Sequence, residues 1–167
     1  MLDQIQEIKG IIDEHETIED QIRQALRGLE DWQIALESTI VSGEAVEIES
    51  LSGKQWRLVQ AIDSLEGGML GHYQREEHEL LEFIGPAMSK ALRIQHRDVL
   101  EQLRSVRVLL TGTDLKSLSM AELAAKYPNV KKELENAYRL IGEHGTAEDI
   151  TLRLVLRGVM ANAEDSA

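Results

Sequence analysis

The sequence contains no cysteine, only two prolines and few aromatic residues, and each shortage excludes a class of protein. Without cysteine the chain forms no thiolate metal site, iron–sulfur cluster or disulfide. Because aromatic residues make up only 4% of the chain, Leu, Ile, Val, Ala and Met must fill its core. With so little proline and no long Ser-rich linker, the 167 residues are expected to form one domain large enough to enclose a core.

Positive charge and long apolar runs are also scarce. The chain has 30 acidic and 18 basic residues and a net charge of −12, so it lacks a basic face that could displace the counterions of phosphates. A run of about 18 apolar residues, which a membrane-spanning helix needs, is absent, and the N-terminus does not resemble a signal peptide. We therefore expect a cytoplasmic protein without a nucleic-acid or membrane partner.

Apolar residues recur at steps of three and four along most of the chain, a pattern that predicts amphipathic helices. Four long helices are predicted, over approximately residues 2–36, 55–83, 87–110 and 129–160. The expected fold is all-α, an up-and-down four-helix bundle over residues 1–160. Residues 161–167 are expected to form a frayed C-terminal tail.

The predicted connections differ in length. The loosely patterned residues 38–53 indicate a long connection between the first two helices, and Gly85-Pro86 indicates a short turn before the third. Ser119 and Glu122 form a capping-box pattern, which predicts a short extra helix between the third and fourth long helices. Pro128 is expected to end that short helix.

Four of the five histidines replace an apolar residue on the buried stripe of a predicted helix, one on each long helix. In the second and fourth helices a glutamate follows the histidine after four residues. Because position i+4 lies only about 40° around a helix from position i, each glutamate points the same way as its histidine. Four imidazoles and two carboxylates in one interior would be strongly destabilising unless a cation neutralised the acids. We therefore predict a buried metal site with the ligands His15, His72, Glu76, His96, His144 and Glu148.

The ligand types narrow the choice of metal. Imidazole nitrogen together with carboxylate oxygen suits iron, manganese or zinc. Six protein ligands exceed what a single tetrahedral zinc needs, so two ions fit the set better. Glu76 and Glu148 would bridge the two ions, an arrangement used in two-metal chemistry, and positions would remain open for a small molecule.

The order of these residues resembles a known family. The chain has His15, then H-Y-Q-R-E at residues 72–76, then His96, then H-G-T-A-E at residues 144–148. This pattern, which spans nearly the whole chain, is similar to that of the hemerythrin-like family, the HHE cation-binding domains. The segments GHYQREEHELLEFIGPAM and QHRDVLEQL also look like the second and third helices of that family. The resemblance implies a four-helix bundle with a non-haem di-iron centre, bridged by two carboxylates and an oxo or hydroxo group; manganese or zinc are the alternative metals.

The chain departs from the oxygen-carrying hemerythrins at one ligand. Those proteins have a second histidine four residues after that of the third helix, where this chain has Leu100. They also end the motif with an aspartate, and Asp149 stands at that position beside Glu148. We favour Glu148 as the bridge for its angle on the helix and keep Asp149 as the alternate. A centre with fewer nitrogen ligands favours family members that reduce, sense or process dioxygen, peroxide or nitric oxide.

Three functions stay open from the sequence. The first is a di-iron protein that binds, senses or reduces a small diatomic or peroxide ligand, with peroxidase or nitric oxide reductase activity as the enzymatic form. The second is a binding or signalling module that responds to metal or oxygen, or an iron donor for the repair of damaged iron centres, with a protein partner that the sequence does not identify. The third is a structural bundle that binds metal adventitiously.

Glycines cluster around two of the histidines. Gly68 and Gly71 precede the histidine of the second helix, and Gly142 and Gly145 flank that of the fourth. Each glycine costs about 1 kcal/mol relative to alanine within a helix, so their placement needs a reason. Two interpretations have equal weight: the glycines open a path to the metals, or they allow close packing of helices.

Overall fold

A computed structural model describes residues 2–42, 45–79, 81–112 and 114–164. Within these ranges the chain forms four long α-helices and no strand: α1 (Leu2–Ser42), α2 (Ala45–Glu79), α3 (Leu81–Thr111) and α4 (Met120–Glu164). Each helix packs against the next one along the chain, and α4 packs back against α1. The predicted all-α four-helix bundle is therefore confirmed.

Polar contacts between helices show whether adjacent helices run parallel or antiparallel. In α2, Asp63 pairs with Arg107 of α3, and Glu66 pairs with Arg104. The later residue of α2 thus contacts the earlier residue of α3. Gln21 of α1 likewise contacts Ser64 of α2, while Lys54 of α2 contacts Asp31 of α1. Neighbouring helices thus run antiparallel, as the up-and-down prediction requires.

The long connection predicted over residues 38–53 is wrong. Helix α1 continues to Ser42 and α2 begins at Ala45. Thr39 is fully buried and donates its hydroxyl hydrogen bond to the carbonyl of Ala35, while Leu51 is fully buried in the core. Burial of these side chains outweighs the weak helix propensity of β-branched residues and serine, which had indicated a loop.

The turn predicted at Gly85-Pro86 is confirmed. Although Leu81–Thr111 is one helical segment, Gly85 interrupts it with a φ of 71°. This left-handed conformation suits glycine because glycine has no Cβ. Pro86 then starts the next helical stretch, where its missing N–H and fixed φ are favourable.

The predicted short helix before Pro128 is instead the first part of α4. The capping box is present, since the hydroxyl of Ser119 and the carboxylate of Glu122 bond to each other's backbone N–H. Pro128 does not end the helix, because Leu123 and Val130 on either side of it are fully buried in one core cluster. The connection that precedes Ser119 contains a single 3₁₀ turn over Leu115–Ser117.

The C-terminal prediction is partly wrong. Helix α4 runs to Glu164, so residues 161–164 belong to it rather than to a frayed tail, and residues 165–167 lie outside the described residues. In the part of the chain that the structure describes, none of the helices combines the length and apolar character that crossing a membrane requires.

The buried apolar side chains form three successive clusters along the bundle. The largest surrounds Trp32, and a middle cluster contains Met69, Tyr73 and Leu103. A small end cluster contains Ile11 and Leu152. The buried histidines and glutamates lie between the middle cluster and the end cluster, so that apolar layers close the polar layer above and below.

Candidate metal centre

The structure brings the six residues predicted as metal ligands into one interior layer. Helix α1 supplies one of them, α2 two, α3 one and α4 two. Five are buried with at most 4% of their surface exposed: His72, Glu76, His96, His144 and Glu148. The sixth, His15, keeps 22% of its side chain exposed. That these residues ligate metal stays a prediction.

The six residues form two groups of three. The His15 triad consists of His15, His72 and Glu148, and the His96 triad consists of Glu76, His96 and His144. In each triad one ligand atom from every residue lies within 4.8 Å of the others. Two imidazole nitrogens and one carboxylate oxygen therefore converge at each of two positions.

Both carboxylates reach beyond their own triad. Glu148 lies with Oε1 3.2 Å from Nε2 of His15 and with Oε2 3.4 Å from Nε2 of His72. The same Oε2 lies 3.5 Å from Nε2 of His144, which belongs to the other triad. A carboxylate that faces histidines of both triads is placed to bridge two cations.

Glu76 is arranged in the same way. Its Oε2 lies 3.1 Å from Nε2 of His96 and 3.6 Å from Nε2 of His144. It also lies 3.7 Å from Nε2 of His72, across the boundary between the triads. Glu76 and Glu148, which each follow a histidine after four residues, therefore each lie close to histidines of both triads.

Asp149, the alternate bridge, points elsewhere. Its carboxylate accepts a hydrogen bond of 2.7 Å from Nε of Arg153, and its side chain is 35% exposed. The structure therefore places the carboxylate of Glu148, and not that of Asp149, within the cluster.

The outward nitrogens of two histidines are bound by carboxylates from other helices. Nδ1 of His72 lies 3.0 Å from Oε2 of Glu14 in α1, and Arg75 forms an ion pair with Glu14. Nδ1 of His96 lies 2.9 Å from Oε1 of Glu77 in α2, whose other oxygen lies 3.2 Å from Nε of Arg93. The two arrangements repeat one design, in which a carboxylate holds the imidazole and an arginine holds the carboxylate.

A third histidine has a neutral outer partner. Nδ1 of His144 lies 3.3 Å from Oε1 of Gln95 in α3. Oxygen acceptors therefore stand at Nδ1 of His72, His96 and His144, and carboxylate oxygens of Glu76 or Glu148 stand at Nε2 of the same rings. If a cation bound Nε2, the outer oxygens would hold the remaining proton on Nδ1, which is the usual arrangement of a metal-bound histidine.

Sequence analysis missed these outer partners. Glu14 adjoins His15 in sequence but holds His72, and Glu77 adjoins Glu76 but holds His96. Both contacts cross between helices, so the periodicity of one helix carries no signal for them. The one feature of the sequence that could have indicated these partners is that each glutamate lies directly beside a predicted metal ligand.

Apart from Nε2 of His72 and Oε2 of Glu148, which lie within hydrogen-bond distance of each other at 3.4 Å, the inward atoms lack the hydrogen bonds that buried polar atoms normally make. Among the side chains that the structure describes, the buried atoms without a hydrogen-bond partner include Nε2 of His15, His96 and His144, Oε1 of Glu148 and both carboxylate oxygens of Glu76. Imidazole lone pairs facing carboxylate oxygens repel one another unless a proton or a cation lies between them. The donor set therefore fits two cations.

The electrostatics of the metal-free centre point the same way. Interaction with the carboxylate of Glu148 raises the pKa of His15. Burial lowers the pKa of His72, but the carboxylates of Glu148 and Glu76 outweigh burial and raise that pKa overall. Burial would raise the pKa of Glu148, yet interactions with His15, His72 and Glu76 lower it overall. The raised pKa values favour protonated His15 and His72, whose positive charge a bound cation would replace.

Tyr73 packs directly against the His96 triad. Its ring is stacked on that of His96, with centroids 3.8 Å apart and an interplanar angle of 6°, and it meets the ring of His144 edge-on at 5.2 Å. Burial, reinforced by the charges of Glu76 and Glu148, raises the pKa of Tyr73. The neutral phenol ring therefore fixes the planes of two histidines from the apolar side.

A cleft of about 560 Å³ between α1 and α4 leads to the centre. It touches all three residues of the His15 triad and His144, whereas Glu76 and His96 do not line it. Most of its wall is apolar, formed by Ile12, Ile18, Ile22, Met69, Ile141 and Ile150. The His15 triad thus faces the cleft with all three residues, whereas the His96 triad reaches it only through His144.

The glycines near the centre divide between the two interpretations. Gly142 and Gly145 line the cleft, and a Cβ added at either would meet nothing within 4 Å. At Gly68 an added Cβ would meet the end of the Gln21 side chain of α1, so this glycine faces α1 and does not line the cleft. The interpretation that glycines open a path to the metals therefore applies to Gly142 and Gly145 of α4 and not to Gly68.

No family model, curated protein or solved structure matches this chain. The resemblance to the hemerythrin-like family therefore rests on the order and spacing of the six residues. What the protein does has to be argued from the chemistry of the centre.

Proposed function

We propose that the chain is a hemerythrin-like protein that holds two iron ions between the two triads and binds or reduces a small oxidant there. The observation that carries the proposal is that buried carboxylate oxygens of Glu76 and Glu148 face the Nε2 atoms of His15, His96 and His144 without hydrogen bonds to satisfy either set of atoms. Oriented, neutral imidazoles beside bridging carboxylates are a ligand set for which iron, manganese and zinc compete.

The charges around the centre divide into an inner and an outer pair of carboxylates. Glu76 and Glu148 lie inside the centre, and Glu14 and Glu77 hold its histidines from outside. Arg75 and Arg93, on the surface side, offset the outer pair. The inner pair carries two negative charges, so two divalent cations would leave a net positive charge that attracts an anionic ligand.

The arrangement leaves coordination positions free. Each position has three protein ligands, fewer than the preferred coordination of iron, and the cleft gives access to the His15 triad. When bound there, iron supplies an open coordination position and electrons for dioxygen, peroxide or nitric oxide.

The protein side chains have separate tasks around that chemistry. Glu14, Glu77 and Gln95 fix the imidazole planes and would hold the ring proton on Nδ1 when Nε2 binds a cation. Tyr73 and the middle cluster exclude water from the His96 triad. The carboxylates of Glu76 and Glu148 would hold both cations, because each faces histidines of both triads.

Metal analysis tests the proposal. Protein reconstituted with ferrous iron without oxygen is expected to retain about two irons per chain, since the six ligands form two sets of three. The double variant Glu76→Gln/Glu148→Gln keeps the shape of the centre but removes its negative charges, and it is expected to retain none.

Glu143→Gln is the matched control, because Glu143 lies on the same helix as Glu148 but is exposed and pairs with Arg139. This variant is expected to retain as much iron as the wild type. Equal iron in the wild type and the double variant would refute the proposal. Consumption of peroxide or nitric oxide by the iron-loaded protein then distinguishes an enzyme from a sensor.

A further inference from the structure

We infer that the cleft between α1 and α4 binds an organic molecule that has an apolar body and an anionic oxygen head group. This inference rests on the proposed function, because the head group is held by the cation of the His15 triad. It deepens that function by naming the class of ligand that the centre takes.

The size of the cleft is the first argument. A volume of about 560 Å³ lies in the range of sites that hold organic ligands, about 300–1,000 Å³. A water molecule takes up about 30 Å³ in the liquid, and a diatomic gas is of similar size. The cleft is therefore much larger than binding of dioxygen or nitric oxide alone requires.

The chemistry of the wall is the second argument. Six aliphatic or thioether side chains line the cleft, and Ile150 among them is 58% exposed. Ile12 and Ile22 are half-buried in the same wall. An apolar ligand body would remove this surface from water, which is a favourable change.

The inner end of the cleft determines the head group. Nε2 of His15 and Oε1 of Glu148 face each other there at 3.2 Å, and among the side chains that the structure describes neither atom has a hydrogen-bond partner. A cation held by two neutral imidazoles and one carboxylate keeps a net positive charge and open positions. An anionic oxygen, from a carboxylate or from a hydroperoxide, satisfies both requirements.

Exposed or partly exposed polar side chains complete the lining of the cleft: Glu19, Thr146 and the ion pair between Asp149 and Arg153. An apolar wall combined with a few polar groups is the usual lining of a site for one small organic ligand.

Zinc-loaded protein gives the direct test, since zinc takes the same ligands and has no redox chemistry. Octanoate and acetate share a head group but differ in apolar body, and we expect octanoate to bind at least about tenfold more tightly, as burial of several methylenes requires. Isothermal titration measures both constants.

Leucine at Gly142 or Gly145 would fill the cleft, and each variant is expected to lose the preference for octanoate while it keeps its zinc and binds acetate. Gly158→Leu is the control: Gly158 lies on the same helix, and a Cβ there also meets nothing within 4 Å, but it does not line the cleft. It should bind octanoate like the wild type.

Two results would overturn the inference. The first is equal affinity of the wild type for octanoate and acetate. The second is tight octanoate binding that survives both leucine substitutions. If zinc is retained in either case, the proposed metal centre stands and only the ligand class is refuted. A wild-type protein that retains no zinc or iron refutes the metal centre as well, so the two failures are distinguishable.

Discussion

The two triads have the same composition, two histidines and one glutamate, but they differ in their surroundings. The His96 triad is buried beneath Tyr73, and its side chains are at most 3% exposed. In the His15 triad, His15 is 22% exposed, and the cleft reaches all three residues. If both triads hold cations as proposed, the comparison predicts that the His96 triad retains its ion more firmly, whereas the His15 triad lets a ligand approach.

The first prediction removes one histidine from each triad. His96→Ala leaves Glu76 buried without its nearest imidazole and opens a gap beneath Tyr73, so the free energy of unfolding of the metal-loaded protein should fall by about 3 kcal/mol or more. His15→Ala should lower it by only about 1 kcal/mol, because His15 is partly exposed. Urea unfolding at constant metal concentration measures both values.

His78→Ala is the control for this pair, since the side chain of His78 is 84% exposed. It should leave both stability and metal content unchanged. Equal losses for His15→Ala and His96→Ala would contradict the difference between the triads.

The second prediction concerns the outer carboxylates. Glu77→Gln should weaken metal binding by the His96 triad, and Glu14→Gln that by the His15 triad, each by about tenfold, the usual effect of losing such a partner. Competition with a chelator of known affinity measures the two binding steps separately. Since each substitution is expected to change one step, equal weakening of both steps by either variant would show that the triads do not bind independently.

The third and smallest effect is a pH dependence of the metal-free protein. The raised pKa values of His15 and His72 contribute stability that is complete below the unfolded pKa of about 6.5 and is lost as the pH rises through the folded values. The lowered pKa of Glu148 acts in the opposite direction, since its contribution is lost as the pH falls through its folded value.

The melting temperature of the metal-free protein should therefore decrease by a few degrees as the pH rises above about 6.5. The metal-loaded protein should gain stability over the same interval, because ligands bind metal in their deprotonated forms. Thermal melts with and without chelator measure both curves. Parallel curves would mean that protons and metal do not compete for the same nitrogens.

Much of the fold was predictable because helical periodicity is local. The apolar stripes identified four long helices, and the same stripes showed that the four histidines face inward. The i+4 spacing placed Glu76 and Glu148 on the inward faces for the same reason. The structure brings all six residues together, as this reasoning expected.

Features that depend on contacts between helices were not predictable. The continuation of α4 through Pro128 depends on the burial of Leu123 and Val130 against other helices. The partners of His72 and His96 depend on the level at which α1 meets α2 and α2 meets α3. The cleft depends on the separation of α1 and α4, which no local pattern encodes.

Anomalous diffraction from crystals grown with iron tests the central claim most directly. The account predicts two iron peaks in each chain, one within the His15 triad and one within the His96 triad, with Glu76 and Glu148 between them. Iron found only on exposed acidic side chains, with both triads free of metal, would contradict it.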